Sequence, residues 1–173
     1  MPEVVIIAGP NGAGKTTFAD EYLAATRRSF KFVNADEIAL EVAVRGLPQP
    51  RADIRAARIM LDRINQLVAI GADFVFETTL ATRTYAQKIP QWQRSGYRAT
   101  LIYLRLPTAE ASVARARRRV EAGGHGIPQQ TIRQRFDKSL TYFEDLYKSI
   151  VDEWYIWDSV EGAFLLTESW DQT

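Results

Sequence analysis

Val4-Val5-Ile6-Ile7-Ala8 is an unbroken apolar run. A strand with one face in water alternates apolar and polar residues, so a continuous run predicts a strand buried on both faces. A glycine-rich stretch follows, then a helix predicted from about Lys15 to Ala25. Lys31-Phe32-Val33 predicts a second, short strand, and Asn34 to Val44 a helix that stops near Gly46, Pro48 and Pro50. Ile54, Ala57, Leu61, Ile64 and Leu67 recur every three or four residues, the stripe of an amphipathic helix that Gly71 is placed to end. Phe74-Val75-Phe76 is a third strand, and Thr82 is placed to cap a helix running toward Ser95 and Gly96. Ala99 to Leu104 is a fourth strand. Pro107-Thr108 opens a helix that breaks at Gly123-Gly124. Ile132, Phe136, Leu140, Phe143 and Ile150 mark one face of a long helix. Trp154 to Trp157 and Ala163 to Leu166 predict two strands joined near Glu161-Gly162.

Strand and helix alternate almost throughout, which predicts a three-layer α/β/α fold with a mostly parallel sheet between helices. The chain of 173 residues carries 46% hydrophobic and 25% charged residues, the balance of a soluble globular protein, and its length suits one domain over 1–173. It holds no apolar run long enough to span a membrane. Met1-Pro2-Glu3 leads straight into the first strand without the features of a signal peptide, and there are no cysteines for disulfides or thiolate chemistry. A cytoplasmic protein is expected.

The first chemistry-bearing segment is Gly9-Pro10-Asn11-Gly12-Ala13-Gly14-Lys15-Thr16, followed by Thr17. It fits the phosphate-loop pattern G-x-x-x-x-G-K-[ST] at every fixed position, between a buried strand and a helix. Glycines let successive N–H groups turn toward phosphate oxygens, and the helix behind aims its positive end at them. Lys15 is expected on the β- and γ-phosphates of ATP, and Thr16 on Mg²⁺.

A phosphate loop alone does not distinguish a kinase from a switch. Asp36 lies at the carboxyl end of the second strand, the edge where open α/β sheets bind ligands. It suits a general base toward an acceptor hydroxyl, and equally a first-turn helix acid. Glu77-Thr78-Thr79-Leu80 follows the third strand onto the same edge: Glu77 can hold Mg²⁺ through water or bind an acceptor hydroxyl, Thr79 can bond the acceptor, and both could also serve only as caps. Arg83, one turn on, is placed to meet an acceptor phosphate.

Net charge is +1, but seven arginines fall between Arg105 and Arg135 against two acids, Glu110 and Glu121. An arginine-rich helix can be a solvated face or an anion-handling surface. The Gly123–Pro128 loop between two such helices suits a lid over residues 119–135. Arg119 and Arg135 are the first choices for phosphate contact, ahead of Arg118 and Arg133. His125, the lone histidine, suits shaping the loop better than catalysis. Near-neutral overall charge argues against nucleic acid as the main partner.

The segments Gly9–Thr17, Val33-Asn34-Ala35-Asp36, Phe76-Glu77-Thr78-Thr79-Leu80 and Arg119-Val120 through Gly123-Gly124-His125, Ile127-Pro128 to Arg135-Phe136 resemble, in this order, the zeta-toxin family of P-loop kinases, in particular its short chromosomal branch. The resemblance implies a nucleotide-kinase-like P-loop fold with ATP and Mg²⁺ on Lys15 and Thr16. It implies Asp36 as the base, Glu77 and Thr79 on the acceptor, two lid arginines on the phosphates, and Asp158 and Ser159 near the adenine. The implied acceptor is a UDP-activated amino sugar, UDP-N-acetylglucosamine, and the implied protein partner an antitoxin that blocks the ATP site. The chain departs from the larger toxins in its short length and in Glu-Thr-Thr where they carry Glu-Gly-Thr. Two other classes stay open: a polynucleotide 5′-hydroxyl kinase, and a non-catalytic ATP-dependent switch.

Overall fold

The computed structural model describes residues 1–124, 126–161 and 163–171, apart from the side chains of Asp36, Gln49 and Pro50. His125 and Gly162 lie outside the described residues. The elements run β1 (Glu3–Ala8), α1 (Lys15–Ala25), β2 (Lys31–Val33), α2 (Ala35–Ala43), α3 (Gln49–Ala69), β3 (Phe74–Thr78), α4 (Thr84–Arg94), β4 (Arg98–Arg105), α5 (Ala109–Glu121), α6 (Gln129–Tyr142), a π-helical turn (Phe143–Tyr147), β5 (Glu153–Val160) and β6 (Ala163–Asp171).

The sheet order is β2-β3-β1-β4-β5-β6. The first five strands are parallel, and β6 returns antiparallel along β5. β1 is central, and its apolar run divides between the two faces as the pleat requires. Val4, Ile6 and Ala8 meet Ile38 of α2, Met60 and Ile64 of α3, Ile89 and Trp92 of α4, and Phe143 and Tyr147. Val5 and Ile7 meet Phe18 and Ala19 of α1 on the other side, with Phe136, Trp157 and Phe164 at the margin. The predicted α/β layering with helices on both faces is present. Among the described residues no helix is long and apolar enough to cross a membrane.

Three expectations change. The long helix past residue 129 does not run to Ile150. It gives way at Phe143 to a wider turn closed by Lys148 N–H on the Phe143 carbonyl at 3.1 Å. Two buried rings set this break: Phe143 stacks on Tyr103 with centroids 4.3 Å apart, and the Tyr147 hydroxyl donates to the Thr82 carbonyl at 2.5 Å. Helix α4 starts one residue later than a Thr82 cap implies. Arg83 takes the cap position, and Thr82 Oγ1 accepts from Thr84 N–H at 3.2 Å. β6 continues to Asp171 past a register shift opposite Ile156 and Trp157.

Candidate active site

β1 delivers the chain into the phosphate loop at the carboxyl edge of the sheet. Gly9, Gly12 and Gly14 have φ of 149°, 79° and 85°, values that side-chain-bearing residues avoid. Gly14 caps α1 in the left-handed region, so the loop's amides and the helix's positive end converge on one spot. The Lys15 ammonium arches over the loop, donating to the carbonyls of Gly9 at 3.0 Å and Pro10 at 3.1 Å. Asn11 Oδ1 is buried with no donor on it. A cavity of about 330 Å³ opens here, lined by Gly12, Gly14, Lys15, Thr16, Thr17, Glu77, Arg115 and Arg119.

Pairing between β1 and β3 sets Ile7 beside Glu77 and Ala8 beside Thr78. Glu77 therefore emerges next to the first turn of α1, and Thr16 Oγ1 donates to its Oε2 at 2.9 Å. Glu77 is only 6% exposed, yet it lines this cavity and the two beyond it. A hydroxyl and a carboxylate are hard oxygen donors, the set that suits Mg²⁺, which takes few protein ligands and completes its shell with water and phosphate oxygens. Among the described residues no group of three or more His, Cys, Asp or Glu side chains could hold a metal by itself. The residues present fit a phosphate chain carrying its own Mg²⁺.

From the phosphate cavity the cleft continues into two further spaces of about 470 and 520 Å³ that share Ala35, Asp53, Glu77, Thr78, Thr79 and Arg135. The nearer is also lined by Asn11, Lys15 and Arg119, and the farther by Thr82, Thr131, Gln134 and Lys138 over an apolar floor of Ile38, Met60 and Tyr85. Thr79 reaches both because the chain kinks after it. Leu80 is fully buried at φ 61°, and its N–H bonds Thr78 Oγ1 at 3.0 Å. A buried non-glycine residue in this region is local strain held by its surroundings, a feature that clusters at functional sites. Asp36 follows Ala35 in the first turn of α2, at the end of β2 that faces the cleft.

The structure separates the arginines that helical phase left together. Arg119 and Arg135 line the cavity that also holds Lys15 and Glu77. Arg118 is paired with Glu161 at 2.7 Å on an exposed face, and Arg133 is paired with Glu110. Arg83 lies with its guanidinium 5.3 Å from the centre of the Tyr142 ring and does not line the described parts of the cleft. Asp158 holds Arg105 at 2.6 Å, and Ser159 donates to the Ala13 carbonyl at 2.8 Å. Both line a cavity of about 710 Å³ between α5, α6 and the ends of β4 and β5. Sequence reading missed Ser112, Arg115 and Ser159 as neighbours of the phosphate loop, and Asp53 and Lys138 as walls of the cleft. For Ser112, Arg115 and Arg119 a signal existed: spacing i, i+3, i+7 puts them on one face of α5.

The chain is 28% identical over 142 residues to an uncharacterised protein of Haemophilus influenzae, a match that spans 78% of this chain and 92% of the other. Its fold is similar to that of a chain from the PezAT chromosomal toxin-antitoxin system of Streptococcus pneumoniae, with TM-score 0.72, 16% identity, and 98% and 72% of the two chains covered. It is also similar to a chain of the Pnkp1/Rnl/Hen1 RNA repair complex, with TM-score 0.68, 21% identity and 84% of this chain covered. Here this chain spans only 46% of the other's length. Identities this low carry the fold alone, a P-loop kinase-like α/β sheet. The profile described as an AAA domain matches residues 4–146, from β1 through the whole cleft to the π-helical turn, and the chain belongs to that family.

Proposed function

We propose that this protein transfers the γ-phosphoryl group of ATP to a hydroxyl of a small sugar-bearing acceptor, a UDP-activated amino sugar such as UDP-N-acetylglucosamine. The observation that carries the reading is the continuity of the cleft. Glu77 contacts Thr16 on the ATP side, and it lines the phosphate cavity and both spaces beyond. A switch protein has no need of a second, hydroxyl-lined chamber opening from its phosphate site. Here Thr79, Thr82, Thr131 and Gln134 supply neutral hydrogen-bonding groups suited to a sugar, while Arg135 and Lys138 supply charge suited to its phosphates.

Each residue has a defined task. The amides of Gly12 and Gly14 to Thr16 and the Lys15 ammonium hold the phosphate chain. Thr16, with Glu77 acting through water, would hold Mg²⁺, which would neutralise charge on the transferring group. Asp36 accepts the proton of the acceptor hydroxyl as that oxygen bonds to the γ-phosphorus and the bond to the β-phosphate oxygen breaks, releasing ADP. Glu77 and Thr79 orient the acceptor. Arg119 and Arg135, from opposite sides of the 123–128 loop, clamp the phosphates and exclude water when the helices close. Arg83, whose guanidinium rests on the Tyr142 ring, would have to turn from it to meet a phosphate at the far end of the acceptor. A protein partner of antitoxin type that covers the ATP side belongs to the same reading.

A second reading, a kinase for the 5′-hydroxyl of a polynucleotide, draws support from the fold likeness to the RNA repair chain and from the same cationic wall on α6. The test is incubation with Mg-ATP and separate UDP-sugars, nucleosides and 5′-hydroxyl oligonucleotides, with mass spectrometry for one added phosphoryl group. A phosphorylated UDP-amino sugar supports the first reading. A phosphorylated oligonucleotide replaces the acceptor. Bound ATP with no product in any arm counts against transfer to either class.

A further inference from the structure

Three successive carbonyls of the phosphate loop, those of Asn11, Gly12 and Ala13, each meet a side chain from α5 or β5. Ser112 Oγ donates to the Asn11 carbonyl at 2.5 Å. Arg115 reaches the Gly12 carbonyl at a longer 3.4 Å. Ser159 Oγ donates to the Ala13 carbonyl at 2.8 Å. Arg115 and Ser159 are themselves joined twice, guanidinium to Oγ at 2.8 Å and to the Ser159 carbonyl at 3.0 Å. Ser112 is fully buried and Ser159 is 6% exposed. The packing is close as well: a Cβ on Gly12 would fall 2.7 Å from Arg115 Cβ and 3.2 Å from the Ser112 carbonyl.

A peptide plane has its N–H and C=O on opposite sides. Fixing a carbonyl on one side therefore fixes the amide of the next residue on the other, here those of Gly12, Ala13 and Gly14, of which the Ala13 N–H also donates to the Pro10 carbonyl at 3.2 Å. We infer that Ser112, Arg115 and Ser159 form a clasp that pre-sets the phosphate loop, and that they are positioning residues for triphosphate binding. Nothing in the pattern G-x-x-x-x-G-K-[ST] requires them, because the loop's own glycines only permit the curl. The clasp selects it. The same helix carries Arg119 one turn beyond Arg115, so loop geometry and the position of that arginine are set by one rigid element. The inference rests on the phosphate loop holding phosphates and is independent of the acceptor.

Arg115 also lines the phosphate cavity and could touch a ligand directly. The two serines separate positioning from contact, since their hydroxyls are buried and spent on loop carbonyls. The experiment is calorimetric titration with Mg-ATP and with inorganic tripolyphosphate, which lacks base and ribose, on wild type, Ser112→Ala, Ser159→Ala, Arg115→Met and the Arg115→Met/Ser159→Ala pair. The clasp predicts that each serine variant weakens both ligands by the same factor, about tenfold. It predicts that the double variant is little worse than Arg115→Met, because the two side chains act through one joint. Wild-type tripolyphosphate affinity in both serine variants overturns it. So does a loss confined to ATP, which would place these residues on the base, and so does strict additivity of Arg115 and Ser159. No phosphoryl transfer is needed for any arm, so a wrong acceptor assignment leaves the result readable.

Discussion

The two ends of the same parallel strands set their charges differently: those at the amino end are packed against one another, and several at the carboxyl end line a cleft. At the amino end charges satisfy one another. Arg28 bonds Glu3 at 2.7 Å, Asp73 at 2.8 Å and the Met1 carbonyl at 3.1 Å. Thr100 Oγ1 lies 3.1 Å from Glu3 and 2.6 Å from Glu153, and Arg98 holds Glu153 at 3.0 Å. At the carboxyl end, Lys15, Glu77, Arg119 and Arg135 surround open space. The titration of the amino end follows: burial pushes the Glu153 carboxyl up, but bonds from Arg98, Thr100 and Tyr155 outweigh it and hold it below the usual range. Tyr22 beside it is pushed up to about 12 by burial and by Glu3 and Glu153. One end is a fastening and the other a receptor, and substitutions should sort accordingly.

The largest effects belong to the carboxyl end. Lys15→Met is expected to lower phosphoryl transfer by about a thousandfold, read as the rate of ADP formation with a saturating acceptor. Arg119→Ala and Arg135→Ala should each cost about a thousandfold in kcat, whereas Arg118→Ala and Arg133→Ala, whose charges are already met on the exposed face, should stay within about twofold. Equal losses for all four would erase the division that the lining of the cleft draws. At the amino end, Arg28→Ala should lower unfolding free energy by about 1 kcal/mol in urea titration while kcat/KM stays at the wild-type value. A catalytic loss there would break the comparison.

The smallest effect is a pH dependence. Because the folded Glu153 carboxyl lies below its ordinary value of 4.5, its contribution to stability is complete above that value and is lost as pH falls through the lowered one. Glu153→Gln should therefore flatten the acid limb of the melting-temperature profile and leave the neutral region parallel to wild type. An unchanged acid limb would remove Glu153 from the fastening.

How much of this was legible beforehand follows the range of the interactions. β1 and the phosphate loop were readable because their signals, a doubly buried run and fixed glycine spacing, are local. Glu77 was readable as a candidate, but its bond to Thr16 spans 61 positions and needs the β1–β3 register. The arginines flanking the 123–128 loop could not be ranked by phase, since what separates them is tertiary: Arg119 and Arg135 line the cleft, while Arg118 and Arg133 lie on exposed faces with Glu161 and Glu110. Ser159 was invisible as a loop neighbour for the same reason, its partner Ala13 lying 146 positions away. The outer half of β6 escaped because Thr167, Glu168 and Ser169 on an exposed edge strand carry no burial pattern. The break after Tyr142 escaped because Phe143 and Tyr147 keep an i, i+4 spacing that a regular helix would also show.

In the proposed reaction, ATP on the phosphate loop meets an acceptor hydroxyl at Asp36. The most direct measurement compares wild type with Asp36→Asn, reading Mg-ATP affinity by calorimetry and transfer of labelled γ-phosphate to the acceptor found in the panel. The account predicts wild-type ATP affinity with transfer reduced by about a hundred- to ten-thousandfold. Transfer at the wild-type rate with ATP bound would contradict it.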